Sequence, residues 1–202
     1  MKTLTSLLIC TVFFALMTAG CATAVKEIQM KSQSERTDVF VEVKDGGPIP
    51  EGFADLIISA KIKTPLAGYY VLASNESLHG KPGYPFLVNI DRQAVVWKSE
   101  GFIDSKPAYD KDGKTSLDPE AREGMKYELN KKVRLRAGPH RIFFGLPEEN
   151  YYSAVDIELK GGENSLIEYQ PVYRYKILPG RIPTFLKGIK KYEAYLNNTK
   201  VL

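Results

Sequence analysis

The chain has 202 residues, enough for one domain with a hydrophobic core, and 44% apolar with 26% charged residues excludes disorder throughout. A formal charge of +4 without a dense basic patch gives no support to nucleic-acid binding. Twelve tyrosines and nine phenylalanines favour strands.

Lys2 opens a short positive region, and Leu7 to Met17 is an uncharged apolar run, too short for a bilayer and the right length for a signal peptide. Small residues Ala19 and Gly20 follow, then Cys21. Thr18-Ala19-Gly20-Cys21 resembles the lipobox of bacterial lipoproteins, departing from it at Thr18, where that family usually has Leu. The resemblance implies cleavage before Cys21 and lipidation there (diacylglycerol and palmitate). It implies a cell-envelope protein held to the membrane at Cys21. Ala22 after the cysteine favours the periplasmic face of the outer membrane in a Gram-negative cell. The alternative is ordinary secretion with cleavage near Ala22 or Ala24. Cys10 leaves with the leader, so Cys21 would be the only mature thiol and no disulfide framework is expected. Loss of Lys2 takes the 28 basic residues to 27 against 24 acids, a net charge of +3.

Residues 21–36 show no sustained period and read as a lipid-anchored tether after a 1–20 signal peptide. A first strand is expected over Thr37 to Lys44, with Val39, Val41 and Val43 on one face. Ala54 to Lys63 is a stronger strand, with Leu56, Ile58, Ala60 and Ile62 inward, ended by Thr64-Pro65. Tyr69 to Ala73 is a short β-prone run. Phe86 to Ile90 and Ala94 to Trp97, around Asp91-Arg92-Gln93, read as a hairpin. Residues 98–124 are charged and broken by Pro107, Gly113 and Pro119, so a long functional loop or insertion is expected there, with a short helical turn at Pro119 to Gly124. Val133 and Leu135 alternate with Arg134 and Arg136 before Gly138-Pro139, and His140 to Phe144 resumes, which predicts a second hairpin. Val155, Ile157 and Leu159 face in along the next strand. Gly161-Gly162 turns the chain into Ser165 to Tyr175, where Pro171 suggests an edge or a bulge. Last, Phe185, Leu186, Ile189, Tyr192, Tyr195 and Leu196 recur at three- and four-residue spacing and predict an amphipathic helix over about 184–196. Three roles are open to it: covering an open sheet face, resting on a membrane, or docking a partner.

Val88-Asn89-Ile90-Asp91, Ala137-Gly138-Pro139-His140-Arg141-Ile142 and the strand pair around Gly161-Gly162 together resemble the PEGA-type domain, a small bacterial β-sandwich of exported proteins. Arg92 and the position of Pro139 depart from its pattern. The resemblance implies an accessory or interaction module without catalytic residues. The expected fold is mainly β: an antiparallel sandwich, PEGA-like or immunoglobulin-like, over 37–180, with a C-terminal helix in 181–202.

The chain's two histidines, His79 and His140, have no metal-ligand spacing, and no nucleophile-elbow, phosphate-loop or dinucleotide pattern occurs. No catalytic residue, metal or cofactor is expected. Asp110-Lys111-Asp112-Gly113 with Asp118 and Glu120 departs from the calcium-loop pattern and reads as a solvated acidic turn. Tyr69, Tyr70, Tyr84 and Trp97, with Phe86, are candidates for an aromatic platform binding saccharide or peptide, against the simpler reading that they are core. The sequence thus points to a lipid-anchored, non-catalytic interaction or structural module, with an envelope protein or polymer as partner. The alternatives are an envelope hydrolase built on His79 and the 98–124 loop, or a small-ligand binder.

Overall fold

Alternation builds the central strand. In β2 (Phe53–Thr64) the side chains of Ala54, Leu56, Ile58, Ala60 and Ile62 are all buried. One face of a twelve-residue strand therefore points into a core. The computed structural model describes residues 23–44, 46–70, 74, 76–175 and 182–202. Within them two sheets pack face to face. The larger runs β1-β6-β2-β9-β10-β11, with β5 also pairing β6, and the smaller runs β4-β3-β7-β8. The remaining strands are β1 (Phe40–Glu42), β3 (Tyr84–Ile90), β4 (Gln93–Ser99), β5 (Phe102–Lys106), β6 (Arg122–Arg136), β7 (Gly138–Leu146), β8 (Tyr151–Leu159), β9 (Asn164–Tyr173), β10 (Ile189–Leu196) and β11 (Thr199–Lys200). Every pairing is antiparallel except β2 with β9, which run parallel from Asp55↔Asn164 to Ala60↔Tyr169. The expected sandwich is present, but it is not wholly antiparallel.

The inward positions read from the sequence are the core: Leu56, Ile58, Val88, Ile90, Val133, Leu135, Val155 and Ile157 are all buried. Aromatic rings from opposite sheets meet there. Phe144 of β7 stacks on Tyr169 of β9 at 4.1 Å, and Tyr84 of β3 on Tyr127 of β6 at 4.5 Å. The β3–β4 hairpin also forms, closed by Asp91 and Arg92 alone. Both adopt positive φ (45° and 76°), the two-residue turn whose twist suits paired strands, and Gln93 belongs to β4.

Five expectations need correction. The stretch around Gly138-Pro139 is no hairpin: β6 and β7 lie in different sheets, and Gly138 and Pro139 pair with Leu159 and Glu158 of β8. The break carries the chain across the core. In β1 the buried side chain is Phe40, while Val41 is 61% exposed, so the inward face is one residue out of step with the valine pattern. Residues 98–124 are not one loop. Phe102–Lys106 pairs with the start of β6, and Arg122 to Gly124 are strand rather than helical turn. The 21–36 tether gives way to a helix, α1, over residues 23–31, whose Ile28 packs with Leu87 and Phe143 on the outer face of the smaller sheet.

The C-terminal helix is the fifth. Residues Phe185–Lys187 form a single 3-10 turn, Gly188 at φ 73° ends it, and β10 follows. A bulge between Ile189 and Lys191 slips the register against β9 by one residue. Ile189 and Tyr192, three apart, therefore fall on the same buried face, and a strand reproduces helical spacing. The intramolecular packing expected of Phe185, Ile189 and Tyr192 is present in this different conformation, since all three are buried. Pro171 sits in β9 opposite that segment, past Ala60↔Tyr169, where the β2 ladder ends.

Candidate functional site

At the end of β2, Thr64-Pro65 stops the ladder, since proline brings no N–H to it. The described residues between there and β3, 65–70, 74 and 76–83, form a loop of turns and bends. Gly80 fixes this loop: its φ is 71°, and a Cβ there would sit 2.0 Å from the Ala67 backbone nitrogen. Only glycine satisfies both conditions. The loop is tied to the short turn Pro147–Glu149 between β7 and β8. Leu78 N donates to Glu148 Oε2 (3.0 Å), His79 Nε2 meets Glu149 Oε1 at 2.7 Å, and the Tyr84 hydroxyl donates to that same oxygen at 3.1 Å. Tyr127 OH donates to Lys81 O at 2.7 Å from below.

Two hollows open beside this loop and share Tyr70 as a wall. One, of about 400 Å³, is lined by Tyr69, Tyr70, Thr115, Ser116, Arg122 and Lys187 among others. The other, of about 370 Å³, is lined by Tyr70, His79, Glu149, Phe185, Leu186 and Lys187 among others. Tyr69 and Tyr70 are 53% and 43% exposed, and their rings meet edge to face at 4.9 Å. The Tyr70 hydroxyl donates to the carbonyl of Leu186, which sets its ring across the gap between the two hollows. Arg122 contributes from an unusual backbone. Its φ is 89°, in a region that non-glycine residues rarely occupy, and its carbonyl accepts a 2.8 Å bond from Lys63 Nζ.

Electrostatics separate the two hollows. In the second, the hydrogen bond that the imidazole donates to Glu149 outweighs burial and raises the His79 pKa above the ordinary imidazole value of 6.5. Burial, with Glu149 adding to it, pushes the Tyr84 hydroxyl well above the phenol range, so it stays a donor. His79 Nδ1 makes no hydrogen bond among the described residues, and no Ser, Thr or Cys side chain among them bonds to either ring nitrogen. A carboxylate-oriented imidazole can bind a ligand or move a proton. The raised His79 value has a consequence for stability. A group whose pKa rises on folding contributes fully below 6.5, and that contribution is lost as pH climbs through the folded value. His79→Gln should therefore cost stability at about pH 5.5 and progressively less towards about pH 9, as thermal melts across that range would read out. A cost independent of pH would place the role of His79 in packing alone.

The four candidate aromatics do not form one platform. Tyr69 and Tyr70 frame the hollows, but they lie in a bend rather than in a strand; Val71, Leu72 and Ala73 lie outside the described residues. Tyr84 and Phe86 are fully buried, because β3 has one face on the core and the other under α1. Trp97 is 7% exposed, donates from Nε1 to Glu42 Oε2 (3.1 Å), and carries the Lys131 ammonium 5.9 Å from its ring. Cys21 lies outside the described residues. His140 ties the sheets instead of lining a hollow: Nδ1 meets Asp91 Oδ2 at 2.6 Å and Nε2 meets Arg136 O at 2.7 Å. In the acidic turn, Asp110 Oδ1 accepts from the backbones of Asp112 and Lys114, while Asp118 and Glu120 face Lys106. Sequence reading passed over Glu148, Glu149, Arg122 and Lys187. Pro147 followed by two acids was the one local signal, since it marks the start of a helical turn.

Comparison of the chain with protein-family models, with curated proteins and with solved structures gave no match.

Proposed function

We propose that this is a lipid-anchored envelope protein, acylated at Cys21, whose sandwich binds an envelope polymer or protein without catalysis through the hollow framed by Tyr69 and Tyr70. One observation carries the binding site: two exposed, mutually braced tyrosines border a hollow whose rim also offers the Thr115 and Ser116 hydroxyls and the cations Arg122 and Lys187. Flat rings beside hydroxyl and cationic donors suit a ligand with both apolar faces and polar groups. The anchor rests on the lipobox-like Thr18-Ala19-Gly20-Cys21. Kinship with PEGA-type domains belongs to the same reading. It rests on the sequence of Val88-Asn89-Ile90-Asp91, Ala137-Gly138-Pro139-His140-Arg141-Ile142 and the stretch around Gly161-Gly162.

A second reading, an envelope hydrolase, is favoured by the His79–Glu149 pair on the adjoining hollow. A photo-crosslinking residue at Tyr69 in the membrane-bound chain separates the two. Binding predicts light-dependent adducts at Tyr69 that are lost with Tyr70→Ala and unchanged by His79→Ala. Absence of adducts, with a hydrolytic activity abolished by His79→Ala, would replace binding by catalysis.

A further inference from the structure

The segment that follows Cys21 is fastened to the domain almost from its start. In α1, Ile28 is buried against Leu87 and Phe143. The Asn89 amide donates to Lys31 O (2.8 Å), Ser34 Oγ donates to Ala94 O (2.9 Å) and accepts from Ala94 N (2.8 Å), and Glu35 N donates to Arg92 O (2.9 Å). Residues 28–35 are thus laced onto β3 and the β3–β4 turn. Helical geometry puts Lys26 and Met30 on the side of α1 opposite Ile28, with Val25 towards one flank. Their exposure agrees: Val25 is 38% and Met30 59% exposed, and Lys26 is exposed as well. At the flank of the helix, Lys31, Arg36, Arg92 and Arg141 surround one hollow with Glu27 and Asp91, and the three arginines are ion-paired to Asp38, Glu35 and Asp156 respectively.

We infer that the outward face of α1 rests on the lipid surface, so that the anchored domain lies against the membrane with its smaller sheet towards it. This rests on the proposed acylation of Cys21. Cys21 precedes Thr23 by two residues, a span of at most about 7 Å of chain. An acylated Cys21 therefore holds the first turn of α1 at headgroup depth. The outward face suits that position: Met30 offers apolar contact, and Lys26, with Lys31 on one flank, meets anionic headgroups. The hollow framed by Tyr69 and Tyr70 belongs to the loops after β2 and β5, and shares no lining residue with the hollow beside α1.

The test uses the full chain, matured in a bacterial host and reconstituted in vesicles of phosphatidylethanolamine and phosphatidylglycerol. Met30→Cys and, separately, Lys111→Cys carry a fluorophore, and the quencher is a lipid with a nitroxide on its headgroup. Lys111 is exposed on the loop after β5. The expected result is several-fold stronger quenching at position 30 than at 111, reduced when Lys26→Glu and Lys31→Glu are introduced together. Equal quenching at both positions, in vesicles where mass spectrometry finds the acyl chains on Cys21, overturns the membrane-facing helix and leaves the anchor standing. An amino-terminal peptide without acyl mass, or Cys21→Ala still fully retained in the membrane fraction, overturns the anchor and this inference with it.

Discussion

Replacing Phe144 by alanine should lower the unfolding free energy by about 3–5 kcal/mol, the range for removing a fully buried phenylalanine. Phe144 is completely buried on β7, lies nearly parallel to Tyr169 across the core, and takes the edge of Tyr192 at 5.3 Å. These partners sit on β9 and β10 of the other sheet, so the ring joins the sheets directly. Truncation leaves a cavity between two sheets that hydrogen bonds hold at fixed spacing, and the site relaxes only in part. Phe144→Leu, which keeps most of the volume, should cost clearly less. Tyr169→Phe supplies a control. The Tyr169 hydroxyl is buried with no hydrogen-bond partner among the described residues, and its burial pushes the phenol pKa far upward. Removing that oxygen leaves the stack in place and relieves an unmet desolvation penalty, so stability should hold or rise. Denaturant titrations of the three variants, followed by near-ultraviolet circular dichroism, give the ranking. A loss below about 1 kcal/mol for Phe144→Ala would mean that the stack does not carry the inter-sheet packing.

The same packing explains how much of the fold was legible. β8 alternates cleanly because one face meets the core and the other meets water. In β2, Ala54, Leu56, Ile58, Ala60 and Ile62 keep to one face, although Asp55 and Lys63 opposite them are buried. The inward residues of both strands were therefore readable one by one. Which sheet a strand joins was not readable. A polar break at Gly138-Pro139 looks the same whether the chain turns back beside itself or crosses the core. β5 was hidden for the opposite reason: Phe102 and Ile103 are 49% and 62% exposed, so this edge strand has no buried face to generate a period. In α1, Ile28 alone is buried, and one residue makes no stripe. The bulge before Lys191 was the most misleading feature, because one extra residue converts a period of two into a spacing of three.

Of the candidate site, only its aromatic edge was visible beforehand. Tyr69 and Tyr70 are adjacent in sequence and remain exposed. The groups that give the hollows their charge come from six separate places: the end of β2, the loop before β3, the loop after β5, the Pro147–Glu149 turn, the start of β6, and the turn before β10. No local pattern joins His79 to Glu149, seventy residues away. The exposed tyrosines and the buried ones, Tyr84 among them, have equal β propensity. What separates them is coverage by a neighbouring element, a property of the assembled sheets.

Loss of Lys63 should be as damaging as loss of Phe144, for electrostatic reasons. The Lys63 side chain is fully buried, and its Nζ donates to Asp104 Oδ2 (2.7 Å), Glu120 O (2.8 Å) and Arg122 O (2.8 Å). Its three donors are all used, and the Phe185 ring lies 5.0 Å away. These bonds clamp the start of β6 to the end of β2 and hold Arg122 in its positive-φ conformation beside the first hollow. Lys63→Ala removes one partner of a buried pair and takes the ammonium donor from two carbonyls, so about 3–5 kcal/mol should be lost. That corresponds to a fall in melting temperature of roughly 6–20 °C for a chain of this size. Lys63→Met keeps the stem against Phe185 and should lose less. The pH dependence distinguishes the charge from the stem. The Lys63 hydrogen bond is the largest influence on Asp104, and it holds that carboxyl below its ordinary 3.8. A depressed carboxylate contributes stability above 3.8, and that contribution disappears as pH falls through the folded value. Both Lys63 variants should therefore lose less stability than the natural chain between about pH 5 and about pH 2. If Lys63→Met follows the same acid profile as the natural chain, the ion pair contributes nothing and Lys63 acts through packing alone.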